Sequence, residues 1–157
     1  MVSLPVPNHC GTCNLCCKLL FVNELKKHKN TWCEHCAIGT GCKIYQDRPA
    51  SCAAFKCLWL QSQQGYQKLA SKLRPDKCKV VLHPSGDEKN IVARVDPNYP
   101  SAWREKDIGL MLGKLTEKYF VLVDNGREYW ILKDGQAHQA MMSPIDENGN
   151  ETFLGVL

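Results

Sequence analysis

The sequence has no long hydrophobic run and none of the common catalytic signatures. Its longest apolar run is Tyr119 to Val123, far short of the roughly 18 residues of a membrane span, so we expect no membrane span. No HExxH, GxSxG, P-loop or GxGxxG motif occurs, which favours a non-enzymatic protein without deciding the point. The first nine residues lack the basic and apolar segments of a secretory signal, and we therefore expect a cytoplasmic location.

Cysteine is missing after Cys78, and nine of the ten cysteines fall between residues 10 and 57. Two-residue spacers between cysteines let neighbouring sulfurs reach one ion, and thiolates are preferred ligands of zinc and iron. The cysteines in this stretch are the metal ligands that we predict: Cys10, Cys13, Cys16, Cys17, Cys33, Cys36, Cys42, Cys52 and Cys57.

Two other uses of cysteine compete with metal binding. A disulfide framework needs an oxidising compartment, and a bridge between the adjacent Cys16 and Cys17 would be strained. Buried thiols also pack as small hydrophobic side chains, and Cys78 is the first candidate for that role. Nine thiols within 48 residues are too many for packing alone, so metal binding is the better interpretation.

The metal and its arrangement follow less directly from the spacing. Paired cysteines with intervening glycines favour zinc, whereas Cys10-x2-Cys13-x2-Cys16 is similar to part of a ferredoxin iron–sulfur motif. Nine cysteines exceed the eight that two closed tetrahedral sites require, so one is spare or thiolates bridge several ions. Excess thiolate indicates closed sites rather than an open catalytic one. We predict zinc, with an iron–sulfur electron-transfer or redox-sensing protein as the alternative.

Two motifs carry a resemblance to a known family. Residues 10–17 read CGTCNLCC, and residues 41–57 read GCKIYQDRPASCAAFKC. Together they resemble the CxxCxxCC family of zinc- or iron-chelating proteins, and residues 32–36 and 57–60 resemble one bacterial branch of it. The resemblance implies metal binding by these cysteines and a structural role for Arg48, such as offsetting thiolate charge. It implies no particular reaction.

The chain is predicted to divide near residue 78 and to have an α+β fold. Residues 1–78 would form an irregular metal module with a short helix or two, and residues 79–157 a small, mostly antiparallel sheet with one helix, within one continuous domain or two. The predicted elements are a strand at 18–22, helices at 50–64, 66–73 and from Ser101, and strands at 79–83, 90–96, 119–123, 127–133 and 135–142. Asn125-Gly126 is a strong hairpin signal.

The remaining polar residues suggest no further function. His35 and His9 neighbour cysteines and are expected beside a metal rather than on it, while His28, His83 and His138 are predicted to be surface or satisfied residues. Four lysines near Trp32 (Lys26, Lys27, Lys29 and Lys43) are interpreted as a solvated basic face rather than a nucleic-acid site. A protein partner of unknown identity is left open.

Overall fold

The structure is a computed structural model that describes residues 12–85 and 88–157. The predicted ligand Cys10 and the neighbouring His9 lie outside the described residues, as do residues 86 and 87 between the strands predicted at 79–83 and 90–96. The predicted α+β class is confirmed.

Five α-helices lie within the described residues, and four of them have six residues or fewer. They are α1 Leu15–Leu19, α2 Ala50–Ala54, α3 Leu58–Gln63, α4 Pro75–Cys78 and α5 Lys106–Leu115. Short 3-10 helices occur at Asn23–Leu25, Tyr45–Asp47, Ser71–Leu73 and Ala102–Arg104. The one longer helix therefore belongs to the second half of the chain.

Eight strands in the same residues form two sheets. They are β1 Cys36–Ala37, β2 Gly41–Cys42, β3 Val80–Pro84, β4 Asn90–Val95, β5 Phe120–Asp124, β6 Tyr129–Lys133, β7 Gln136–Met142 and β8 Phe153–Val156. The first two strands form a hairpin, and the other six form one sheet in sequence order. Only β4 and β5 pair in parallel, because α5 connects them as a crossover. The sheet is larger than predicted because β8 adds a strand that the sequence analysis did not identify.

One face of the six-stranded sheet packs against α5. Alternate residues of β3, β4 and β5 point to this face, where they meet Trp103, Ile108 and Leu112. The buried members of this core are Val80, Leu82, Ile91, Ala93, Val95, Trp103, Ile108, Leu112, Val121 and Val123. All of them come from residues 80–123, and the cysteine-rich region (described from residue 12 to residue 78) adds partly buried side chains at the edge of this core: Leu58, Leu73 and Cys78.

The opposite face of the sheet is covered by the cysteine-rich region. Val81, which points to this face, is fully buried in a second cluster with Leu15, Leu19, Cys57 and Leu60. This cluster is half the size of the first and includes a thiol. The cysteine-rich region thus obtains part of its apolar packing from β3.

Two lysine contacts also join this region to the sheet. Lys18 Nζ lies 2.7 Å from Asp96 Oδ1, and both side chains are buried. Lys29 Nζ donates to Tyr129, Asp124 and Glu151. Burial on its own lowers the pKa of Lys29, but Asp124 and the hydrogen bonds to Glu151 and Tyr129 raise it above its ordinary value. The division predicted near residue 78 stays a prediction, and these contacts cross it.

Several predicted elements are corrected. The strand predicted at 18–22 is wrong, because Leu15 and Leu19 share one face of a helix and bury it against Val81. The helix predicted at 50–64 is broken into α2 and α3 around Phe55, and residues 66–73 contain only the 3-10 helix Ser71–Leu73. The helix predicted from Ser101 begins with the 3-10 helix Ala102–Arg104, and α5 itself begins at Lys106.

Among the described residues, no helix has both the length and the apolar character needed to cross a membrane.

Candidate metal centre

Helix α1 carries two adjacent predicted ligands, Cys16 and Cys17. Leu15 and Leu19 turn towards the sheet, so Cys16 and Cys17 lie on the remaining helix surface and are only half-buried. The backbone N–H of Cys33 donates to the carbonyl of Cys17 at 3.1 Å. This bond fixes the second cysteine segment directly beside the first.

The second cysteine segment is a hairpin. Cys36 on β1 pairs with Cys42 on β2, and the intervening turn closes with Thr40 N–H donating to the Ala37 carbonyl at 2.9 Å. Gly39 has φ +78° in this turn, a conformation that glycine adopts at little cost. Paired residues on neighbouring strands project to the same side, so the hairpin presents the Cys36 and Cys42 thiols together.

The third segment carries Cys52 on α2 and Cys57 at the start of α3. The Cys57 sulfur accepts a hydrogen bond from Leu60 N–H at 3.5 Å, in the position of a helix N-cap. This cap explains the break between α2 and α3, because the residue before a helix has non-helical backbone angles. Cys57 is buried in the cluster around Val81, whereas Cys52 is half-buried.

Neighbouring thiols and cations shift the pKa of Cys17. Hydrogen bonds from the Cys16 and Cys36 thiols lower its pKa to about 6, against the opposing effect of burial, and the charges of Lys27 and Arg48 contribute further. Cys36 gives the complementary result, because burial and the nearby Cys17 thiolate raise its pKa to about 12. Cys17 therefore ionises more readily than an ordinary cysteine, and its neighbours are hydrogen-bond donors to it.

Two cations lie close to this thiolate. Lys27 is buried, and its Nζ donates to the carbonyls of Lys18 (3.0 Å), Leu20 and His28 (2.8 Å). Burial lowers its pKa, while the nearby cysteines, chiefly Cys33 and Cys17, oppose that shift.

The prediction of a solvated basic face is corrected by the burial of two of its four lysines. Lys26 and Lys43 are exposed, but Lys27 and Lys29 are not.

Arg48 is held in a fixed position near the thiols. Its Nε donates to the Tyr45 carbonyl at 3.0 Å, and its guanidinium lies 3.9 Å from the centre of the Tyr45 ring. Its charge contributes to the low pKa of Cys17. The structural role that the family resemblance implies for Arg48 stays a prediction.

A cavity of about 890 Å³ brings the predicted ligands together. Its walls are largely apolar, and six of the nine predicted cysteines line it: Cys13, Cys16, Cys17, Cys33, Cys42 and Cys52. Cys36 joins them through its contact with Cys17.

No disulfide joins any of the cysteines in the described part of the chain. The thiols are neighbours, yet no group of three or more His, Cys, Asp or Glu side chains in residues 12–85 and 88–157 forms a ready-made metal site.

Three polar atoms at this cavity have no hydrogen-bond partner. They are the buried atoms Asn14 Oδ1, His83 Nε2 and Arg94 Nε, and all three residues line the cavity. The prediction of His83 as a surface or satisfied residue is thus wrong. Burial lowers its pKa to about 4, so its ring is neutral at pH 7. Strand alternation puts His83 on the same face of β3 as Val81. Which face the cysteine-rich region covers is visible only in the folded structure.

Comparisons with protein-family models, with curated proteins and with solved structures gave no match to this chain.

Proposed function

We propose that this chain is a metal-binding protein that holds zinc through the thiolates of its cysteine-rich region, as a structural or interaction module rather than an enzyme. The supporting observation is that thiols from separate segments, carried by α1, the β1–β2 hairpin and α2, line one cavity. Segments so far apart in sequence have no reason to gather their thiols for packing alone, since plain hydrophobic side chains would fill the space more simply.

The electrostatics of the cavity support a cation-binding role. Metal ions bind the thiolate form of cysteine, and the lowered pKa of Cys17 favours that form. A metal ion would also lower the pKa of Cys36 and Cys52, which burial and the nearby Cys17 now raise. Lys27 and Arg48 would offset the negative charge that remains on a thiolate-rich site.

Metal binding would complete this arrangement rather than fill a finished site. The described thiols do not yet converge on one point, and metal binding and folding are commonly coupled in small cysteine-rich modules. A structural zinc site contributes about 10–16 kcal/mol of apparent stability. That is enough to order helices of five or six residues, which are too short to be stable alone.

An iron–sulfur cluster is the second candidate. The spacing Cys10-x2-Cys13-x2-Cys16, which is similar to part of a ferredoxin iron–sulfur motif, favours it. That function would be electron transfer or redox sensing. Either metal requires reduced thiols, so we also propose a reducing compartment, as in the cytoplasm.

Metal analysis of the full chain tests the proposal. Protein purified without oxygen from cells supplied with both metals should contain stoichiometric zinc, and Cys17→Ser should lower the zinc content while Cys78→Ser should not. Stoichiometric iron with acid-labile sulfide would favour the second candidate. A folded protein that retains neither metal, and takes up neither when reduced, would contradict metal binding.

A further inference from the structure

His83 is held in one tautomer by the backbone. Its Nδ1 lies 2.8 Å from the carbonyl oxygen of Pro84, and a carbonyl can only accept a hydrogen bond, so Nδ1 carries the proton. Nε2 therefore presents a lone pair. That atom is buried and has no partner. Histidines that bind metals are commonly held in this way, with the other ring nitrogen bonded to a backbone carbonyl.

The ring of His83 lies beside the cysteine segments. Phe55, which lies between Cys52 and Cys57 in sequence, contacts it edge-on with ring centres 5.5 Å apart. Val81, two residues earlier on the same face of β3, packs with Cys57 and Cys16. His83 and six predicted ligands line the same cavity. The unpartnered Nε2 thus belongs to a residue that shares its cavity with these predicted ligands.

The chemistry of the neighbouring residues fits a metal better than an organic cation. The Arg94 guanidinium also lines the cavity, and its buried Nε–H has no acceptor. A guanidinium next to His83 repels a free organic cation, whereas it attracts the negative charge of metal-bound thiolates and can donate an N–H to one of them. One occupant, a metal–thiolate unit, would satisfy both the acceptor on His83 and the donor on Arg94.

We propose that His83 is a nitrogen ligand of the metal centre through Nε2, which makes that centre a mixed sulfur and nitrogen site. This inference rests on the metal binding proposed above. Three cysteines and one histidine are an ordinary ligand set for zinc. His83 lies outside both cysteine motifs, and it comes from the sheet rather than from the cysteine-rich region, so the metal would link the two.

Cadmium NMR tests the bond directly. The full chain, labelled with ¹⁵N in histidine and loaded with ¹¹³Cd in place of zinc, should show a scalar coupling between ¹¹³Cd and Nε2 of His83. The coupling should vanish in His83→Gln. It should persist in His138→Gln, a matched control because His138 lies on the same sheet face at the far end of the row that begins at His83.

The competing outcomes separate this inference from the proposed function. Stoichiometric cadmium without coupling to His83, or with coupling to His35 instead, would overturn the inference and leave metal binding intact. A protein that binds neither cadmium nor zinc would overturn both. Because the decisive coupling is measured in the unaltered chain, the result does not depend on whether His83→Gln folds.

Zinc affinity gives a second readout. Loss of a residue that only supports a ligand typically weakens binding by about 10–100-fold, and loss of a ligand should do at least as much. His83→Gln should therefore weaken zinc binding by at least about tenfold in competition with a chelator. An affinity equal to that of His138→Gln would contradict ligation by His83.

Discussion

The two regions of the molecule differ in how they are held together. Residues 80–123 supply a core of ten buried side chains with no thiol among them, built on strands of five or six residues and one helix of ten. In its described residues, the cysteine-rich region has α-helices of four to six residues and strands of two. Three of the seven buried hydrophobic residues in that part of the chain are cysteines: Cys13, Cys36 and Cys57.

This difference shows what a cysteine-rich segment lacks. Short helices and two-residue strands lose backbone entropy without enough apolar burial to offset it. The region compensates in part by packing on Val81 and by the ion pairs of Lys18 and Lys29 with the sheet. The proposed metal supplies the rest, so the two regions should respond differently to the same perturbations.

The largest effect is expected from removing a thiol of the hairpin. Cys42→Ser should lose metal and unfold the cysteine-rich region, because its pairing with Cys36 presents both thiols and a structural zinc site contributes about 10–16 kcal/mol. Cys78→Ser is the control, since Cys78 packs against the sheet core and its thiol donates to the carbonyls of Leu73 and Val80. Equal metal content in the two variants would remove Cys42 from the ligand set.

The sheet core should be sensitive to apolar truncation instead. Leu112 is 1% exposed, and Leu112→Ala should lower the free energy of unfolding by about 2–5 kcal/mol through lost burial and a residual cavity. Leu110 lies on the same helix but is 61% exposed, so Leu110→Ala should change it by less than about 0.5 kcal/mol. Urea unfolding monitored by strand signal would compare them. Similar losses would argue that α5 is not the cover of this core.

The contact between the regions should give a smaller effect. Lys29→Met removes one partner of the nearly buried carboxylates of Asp124 and Glu151, but Arg94 still pairs with both. We expect the free energy of unfolding, measured in urea, to fall by an amount near the low end of about 3–5 kcal/mol. Lys72→Met breaks only the exposed pair with Asp107 and should cost at most about 1 kcal/mol. An equal cost for the two would show that the Lys29 contacts do not stabilise the interface.

The smallest change is a shift in the titration of one thiol. In the folded region, hydrogen bonds from Cys16 and Cys36 lower the pKa of Cys17 to about 6, so its thiolate forms below neutral pH. If removal of metal unfolds the region, these neighbours disperse and the pKa should return to about 8.5. The pH dependence of Cys17 alkylation in metal-free protein measures this. A midpoint near pH 6 would mean that the region keeps its fold without metal.

The sequence predicted the regular half of the fold better than the cysteine-rich half. Strand alternation and Asn125-Gly126 located β3 to β7 within a few residues, because apolar periodicity reflects the same burial that builds the sheet. Strand β8 was missed, since Phe153, Leu154 and Val156 are exposed and show no alternation. The break at Cys57 was also missed, because a sulfur cap at the start of a helix leaves no mark in helix propensity.

The sequence predicted the candidate site only in part, because cysteine spacing does not show which other side chains the fold brings to the cysteines. Spacing identified the cysteines, and six of them line one cavity, while Cys10 lies outside the described residues. Spacing could not identify His83, because its role depends on which face of β3 the cysteine-rich region covers. It also could not show that Lys27 is buried among backbone carbonyls, since isolated lysines are normally exposed.

Hydrogen exchange of the full chain, with and without a strong zinc chelator, shows whether metal holds the cysteine segments together. We expect chelation to remove protection from the amides bonded between and within these segments, such as Cys33 N–H and Lys43 N–H, while those of Val121 and Val123 in the sheet core stay protected. Uniform loss of protection along the chain would contradict it, as would full protection of the cysteine segments after the metal has gone.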